Sequence, residues 1–345
     1  MNDPRHAAAI ARLQLDLSDP GLYGGLPRGL IGAFGANGEP RHAYPEIAGY
    51  WLRWASGRAE LPDPTAAALI AALAVLRLPG GLWPTRIGLG SAVIPARYRD
   101  AHYLYDHAML WDGLRHWAGL RRCAQAALLA DELWQALAAF AIDGRLRACI
   151  PAAGPGPEGP SPSPPGGPDA GGAADAGWAC GDGPFLLKAC ARLLPGQGTF
   201  GRVCARSIQA LSERALASPH PQAHPQLYAI EGLIELKRPK LARQALCRLL
   251  ADHGGAAAIT EQLAGGPRRS DVLAQLLRAV CLLGVDDPGD PGWARLAAEV
   301  AARVDRNGRL PFAEAADDRP TWAGMFALQA LQLWSGQPLS GKALI

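Results

Sequence analysis

Residues 224–236, HPQLYAIEGLIEL, form a short helical pattern that starts at a proline and is apolar almost all round. A helix with no polar face has to be surrounded by other elements, so this segment belongs inside the fold. Pro225 fits the first helical position, where the missing N–H would have had no acceptor and φ is already set. The same opening recurs. Pro45 precedes IAGYWL at 47–52, Pro184 precedes LLKAC at 186–190, and Pro320 precedes WAGMFAL at 322–328. Two further apolar helices start at acidic caps, Asp106 before HAMLW at 107–111 and Ser270-Asp271 before VLAQLL at 272–277. Six helices of one kind predict the inner ring of a helical barrel.

Amphipathic segments alternate with them. Outer helices are expected at about 4–17, 65–78, 120–141, 199–216, 239–253 and 292–304, and inner ones at about 45–56, 104–118, 184–194, 225–236, 270–283 and 320–334. A repeat of about 45–60 residues fits two helices and their loops. Asn37-Gly38, Asp143-Gly144 and Asn307-Gly308 each lie between an outer and an inner helix, where such pairs favour tight hairpin turns at the barrel mouth. No alternating pattern long enough for a sheet is present. The chain therefore reads as all-α, an (α/α)6 toroid forming one domain over residues 1–345. Residues 151–177 are almost only Pro, Gly, Ala and Ser, and read as a flexible insertion within it.

Several function classes lose support on composition. With 49% hydrophobic and 19% charged residues the chain is globular, and its net charge of +3 with scattered arginines argues against a nucleic-acid groove. The longest apolar run, residues 66–76, is far shorter than the ~20 residues of a membrane span. The opening MNDPRH lacks the features of a signal peptide, and seven cysteines without C-x-x-C spacing fit free thiols, so a cytoplasmic location is expected. His220 and His224 have metal spacing only on a helix that Pro221 and Pro225 prevent, so no metal is expected. Nucleophile elbows, phosphate-binding glycine loops and dinucleotide fingerprints are absent, and no cofactor is expected.

In this arrangement the chain resembles the six-hairpin (α/α)6 toroid superfamily, which includes sugar epimerases, unsaturated-uronide hydrolases and the barrel parts of polysaccharide lyases. The phrases YPEIAGY at 44–50, HPQLY at 224–228 and RSDVLAQ at 269–275 also resemble uncharacterised toroid proteins encoded beside exopolysaccharide biosynthesis genes. The paired-histidine pattern of N-acylglucosamine 2-epimerases is missing, and no clear match to the uronide hydrolases is found. What the resemblance implies is carbohydrate handling, with a saccharide or nucleotide-sugar ligand, and no site residue is carried over from it.

If inner helices line a central cavity, their N-terminal ends and the loops before them form its mouth. Candidates for ligand contact there are Tyr44, His107, Asp182, Arg269, Gln275 and Trp322, and candidates for chemistry are Glu46, Asp106, His224, Tyr228, Glu231 and Asp271. Asp106 and Asp271 are equally explained as helix caps. Glu231 shares one narrow face with Tyr228 and Glu235, and needs either a water-filled lumen or a partner such as Arg278. His224 has the chemistry of a general acid or base, with Tyr228 one turn on. Carboxylates from different hairpins, Glu46 with Asp271 or Asp106 with Glu231, would suit glycosidic cleavage. Trp51, Trp54, Trp111 and Trp117 suit sugar stacking or core packing. Acid/base chemistry on a saccharide is thus the leading expectation. A non-catalytic toroid binding a glycan or protein, and one modifying an isoprenoid or peptide, are its rivals.

Overall fold

The computed structural model describes residues 3–58, 63–152, 183–263, 265–285, 291–337 and 339. Among these, long helices alternate between two rings. The outer helices are α1 (Pro4–Leu17), α3 (Asp63–Leu76), α5 (Ala124–Ala136), α7 (Gly198–Ala217), α9 (Pro239–Asp252) and α11 (Pro291–Ala302). The inner ones are α2 (Pro45–Ser56), α4 (Leu104–Arg121), α6 (Gly183–Leu193), α8 (Ala223–Glu235), α10 (Ser270–Leu283) and α12 (Thr321–Trp334). Each inner helix packs on the next, and α12 returns to α2. The fold is therefore the expected (α/α)6 toroid. From residue 153 onward, the expected insertion lies outside the described residues.

The outer helices follow from their periodicity. Helix α1 buries Ala9, Ile10, Leu13 and Leu17 on one stripe, and each fully buried leucine contributes about 1.5–3 kcal/mol. The inner helices are buried on nearly every side. In α10 this includes Ser270, Asp271, Gln275 and Arg278 as well as the aliphatic residues. Trp51, Trp54, Trp111 and Trp117 are core residues rather than sugar platforms; the Trp51 indole donates to the Leu17 carbonyl at 2.8 Å.

The helix starts differ from expectation in an informative way. Pro45 is the first residue of α2, but Pro184 is second in α6, Pro225 third in α8, and Pro320 precedes α12. The first turn has no intrahelical acceptor for any of its N–H groups, so proline is tolerated throughout it. Asp106 is not a cap, because α4 begins two residues earlier and its side chain bonds Tyr44 instead.

A small sheet at the N-terminal end of the inner ring contains the hairpin expected at Asn37-Gly38, with Gly38 at positive φ, and adds two outer strands that were not expected. Its antiparallel order is Arg319–Pro320, Ile31–Phe34, Pro40–Ala43, Ile87–Gly88. These strands come from three separate loops and run two to four residues, too short for a periodicity to register. They tie the chain's last hairpin to its first. Asp143 and Gly144, both at positive φ, turn the expected hairpin between Ala141–Ile142 and Arg145–Leu146, whereas Asn307-Gly308 joins no strands. No described helix is long and apolar enough to cross a membrane.

The closest approach in the inner ring is a glycine crossing. A Cβ built on Gly113 in α4 would fall onto the backbone carbonyl of Gly49 in α2, and one on Gly49 onto that of Met109. Backbone cannot rotate away as a side chain can. Gly119, on the same helix, faces open space. Gly113→Ala is therefore expected to destabilise the fold by about 1–3 kcal/mol, while Gly119→Ala stabilises it by about 0.5–1 kcal/mol. Urea-denaturation midpoints for the two variants check this, and a neutral Gly113→Ala would contradict the crossing.

Candidate active site

Looking down the toroid axis, the inner helices stack polar residues in successive turns. The deepest group joins α2, α4, α6 and α8. Arg192 donates to Asp112 at 2.6 Å and to Glu235 at 2.6 and 2.7 Å, and Arg53 also donates to Asp112. One turn higher, Glu231 accepts from Lys188 Nζ at 2.9 Å and from Arg278, whose other arm reaches Gln329 Oε1 at 2.9 Å. Lys188, Glu231 and Arg278 have no solvent exposure at all. Burial alone would push the Glu231 carboxyl up, but the charges of Arg278 and Lys188 outweigh it and hold it low. The sequence-level alternative for Glu231, an ion pair with Arg278, is thus present. Glu231 is sealed beneath the cavity and does not line it.

Above this network lies an aromatic layer. The Tyr50 and Tyr105 hydroxyls hydrogen-bond each other, Tyr228 meets Tyr105 edge-on at 4.9 Å, and Phe185 lies 4.5 Å from Tyr228. Lys188 Nζ sits 4.8 Å from the Tyr228 ring centre, coupling this layer to the charges below.

The layer floors a cavity of about 610 Å³ at the N-terminal ends of the inner helices. Of the sequence candidates, Tyr44, Glu46, Asp106, His224, Tyr228, Arg269 and Trp322 line it. Besides Glu231, three others do not. His107 is turned outward, its Nδ1 at 2.8 Å from the Tyr103 carbonyl and its Nε2 accepting from the Trp83 N–H at 3.1 Å. Gln275 and Asp271 are fully buried just behind the wall. Asp182 lies outside the described residues.

Burial sorts the titratable groups on this wall. Glu46, the second residue of α2, is pushed up by desolvation, more than the hydroxyls of Tyr44 and Tyr50 and the charges of Lys188 and Arg86 pull it down. Its proton is held more tightly than that of an exposed glutamate. His224 moves the other way, lowered to about 4 by burial and by the nearby Arg269 charge. Its Nδ1 is 2.7 Å from Gln275 Oε1, which can only accept, so Nδ1 carries the hydrogen and the neutral ring has a bare Nε2. Behind it, Asp271 is fixed as an anion: burial alone would raise it, but Arg269 at 2.6 Å and the Trp322 indole at 3.0 Å hold it well below the usual range. Asp271 also satisfies the Val272 N–H at 2.9 Å, so it does part of a cap's work. Asp106 Oδ1 accepts from the Tyr44 hydroxyl at 2.9 Å.

Neither carboxylate pair expected for glycosidic cleavage stands in the cavity, since Asp271 and Glu231 are both buried in ion pairs. Glu46 and Asp106 are the two that share the wall. Sequence reasoning also passed over His42, Arg86, Tyr98, Tyr105 and Phe185, which line it too. His42 is lowered to about 3 by burial and the Arg86 charge. For Arg86 and Tyr98 the available signal was the aromatic- and arginine-rich loop before α4, whose position depends on pairing in the mouth sheet.

Neither a family model nor a curated protein sequence matches the chain. Solved structures do match its fold. A D-mannose isomerase superposes with a TM-score of 0.64 at 10% identity, covering 97% of this chain and 98% of that one. The cellobiose 2-epimerase from Spirochaeta thermophila DSM 6192 gives 0.58 at 16% identity, over 96% and 98%. An unsaturated glucuronyl hydrolase specific for heparin gives 0.56 at 11% identity, over 96% of each chain. Such low identities show a shared toroid fold.

Replacing Glu231 by Gln removes the anion that Lys188 and Arg278 share and leaves two buried cations without it. A loss of about 3–5 kcal/mol is expected. Because the folded carboxyl is depressed, its contribution is present above the unfolded glutamate pKa and is lost as the pH falls through the folded one. Urea midpoints should therefore separate wild type from Glu231→Gln at neutral pH and converge in acid. Equal midpoints at neutral pH would contradict a structural role.

Proposed function

We propose that the chain is a carbohydrate-active enzyme that moves protons on a saccharide held in this cavity, in the manner of an epimerase, isomerase or lyase. The observation that carries the reading is the divergence of Glu46 and His224 on one wall, a carboxyl that burial raises and a neutral imidazole with a bare Nε2. Burial favours the proton-donating form of one and the proton-accepting form of the other. In this scheme His224 Nε2 takes a proton from a sugar carbon or hydroxyl, and Glu46 delivers one to the oxygen where negative charge develops. Gln275 and Asp271 position the imidazole from behind. Tyr105, Phe185, Tyr228 and Trp322 offer ring faces and edges to a pyranose.

The fold likeness to sugar isomerases and epimerases supports the substrate class, and the polar wall of Glu46, His224, Arg86 and Arg269 disfavours an isoprenoid. The phrases at 44–50, 224–228 and 269–275 support a link to polysaccharide building blocks, and a cytoplasmic site of action belongs to the same proposal. A second reading, hydrolysis or lyase cleavage by Glu46 with Asp106, has its own observation in the Tyr44 hydroxyl that holds Asp106 at the wall. Its signature is loss of turnover in Asp106→Asn with His224→Ala active.

A thermal-shift screen against mono- and oligosaccharides identifies the ligand, since binding to the native state raises the melting temperature. On that sugar, His224→Ala and Glu46→Gln are each expected to lower kcat by about 10²–10⁴-fold with binding retained. The rate should rise with pH as His224 loses its proton at about 4 and fall again as Glu46 ionises above the ordinary glutamate value. Glu46→Gln abolishes the alkaline limb; an alkaline limb that persists in that variant's residual activity would contradict Glu46 as the acid.

A further inference from the structure

Two cations of the cavity wall stand outside its ion pairs. Arg269 is neutralised twice over, by Asp271 at 2.6 Å and Glu261 at 2.8 Å. Asp106 accepts from the Tyr44 hydroxyl, Asp318 lies 3.7 Å from Arg41, and Glu46, raised by burial, makes no ion pair among the described residues. That leaves Arg86 and Arg97. Neither has a carboxylate partner among the described residues, and the buried Nε of Arg86 has no hydrogen-bond partner there either. A guanidinium cannot discharge itself by losing a proton, so Arg86 keeps its full charge at the wall.

Arg86 is also held in place. Its guanidinium lies 3.7 Å from the centre of the Tyr98 ring and 5.2 Å from that of Tyr44, while Arg97 lies 4.6 Å from the Tyr98 ring. The backbone beside it is fixed as well, since Ile87 and Gly88 pair with Ala43 and His42 in the mouth sheet. Aromatic contacts orient a cation without satisfying its N–H donors, which stay available for a planar anion. Its field reaches Glu46, His42 and Tyr44, so the unneutralised charge lies close to the proposed acid.

We infer that the saccharide taken by this cavity carries an anionic group, a carboxylate or a phosphate, and that Arg86 is its seat. The inference rests on the proposed saccharide site and adds to it the charge class of the substrate and the residue that selects it. Both a uronate and a sugar phosphate offer two coplanar or near-coplanar oxygens to the guanidinium fork. Arg97, more exposed, adds attraction at the entrance.

The test is calorimetric titration of the full chain with matched sets: glucose, glucuronate, glucose 1-phosphate and glucose 6-phosphate, and the galactose and mannose equivalents. At least one acidic member is expected to bind about 10-fold more tightly than its neutral counterpart, which corresponds to about 1.4 kcal/mol. The uronate and phosphate arms identify which anion it is. In Arg86→Gln the preference should collapse to near unity, and Arg86→Lys should keep part of it. Should Arg86→Gln fail to fold, the preference of wild type must still shrink as salt is raised. Neutral sugars binding as well as acidic ones, or a preference that survives Arg86→Gln, would overturn the inference and leave the saccharide site standing. If no sugar of any charge bound, the site reading would fall and the inference with it.

Discussion

Everything in this toroid depends on how its axis is filled. Six inner helices leave a central channel, and an open channel would flood it with water from end to end. Here the lower part is closed by two ionic layers, Arg53–Asp112–Arg192–Glu235 and Lys188–Glu231–Arg278, and by the tyrosine layer above them. Replacing such pairs by apolar residues is often neutral for stability, so their presence is better explained by what they shape than by what they contribute. They plug the channel and leave a cavity only where the inner helices begin. They also set a positive background under that cavity, through Lys188.

Depth along the axis then decides each residue's chemistry. Glu46 and Glu231 are both inward-facing glutamates on inner helices, but Glu46 is the second residue of its helix and Glu231 the ninth. At 1.5 Å per residue that is about 10 Å further down. Glu231 meets two cations that hold its carboxyl low, whereas Glu46 makes no such pair and burial raises it. Asp271 is near the top yet silent, because Arg269 and Trp322 hold it from two sides. The same burial that raises a carboxyl lowers an imidazole, so one buried wall supplies both an acid and a base. No separate device is needed for each.

Much of this was legible in the sequence, and the reasons for the remainder are physical. Helices that are apolar on every side, such as 224–236, cannot be anything but the inner ring, and their ends were readable to within a few residues. The polar stripes Tyr228–Glu231–Glu235 and Asp271–Gln275–Arg278 were visible too. What they could not reveal is which turn of the helix reaches the cavity, because that depends on how neighbouring helices are staggered. His42 and Arg86 were not picked out because their placement comes from pairing between short loop strands remote in sequence. His107 was picked for its position at a helix start, yet helical rotation turns it toward the Trp83 loop. Asp182 lies outside the described residues.

The central claim is that burial in this wall leaves His224 a neutral base whose Nδ1 is committed to Gln275. It is tested most directly by ¹⁵N and ¹³C NMR titration of the histidine rings in the intact chain, with His224→Ala used to assign the signal. A ring that holds its hydrogen on Nδ1 and protonates only at about pH 4 is the expected result. A His224 that titrates at the ordinary value near ~6.5, or carries its hydrogen on Nε2, would contradict it.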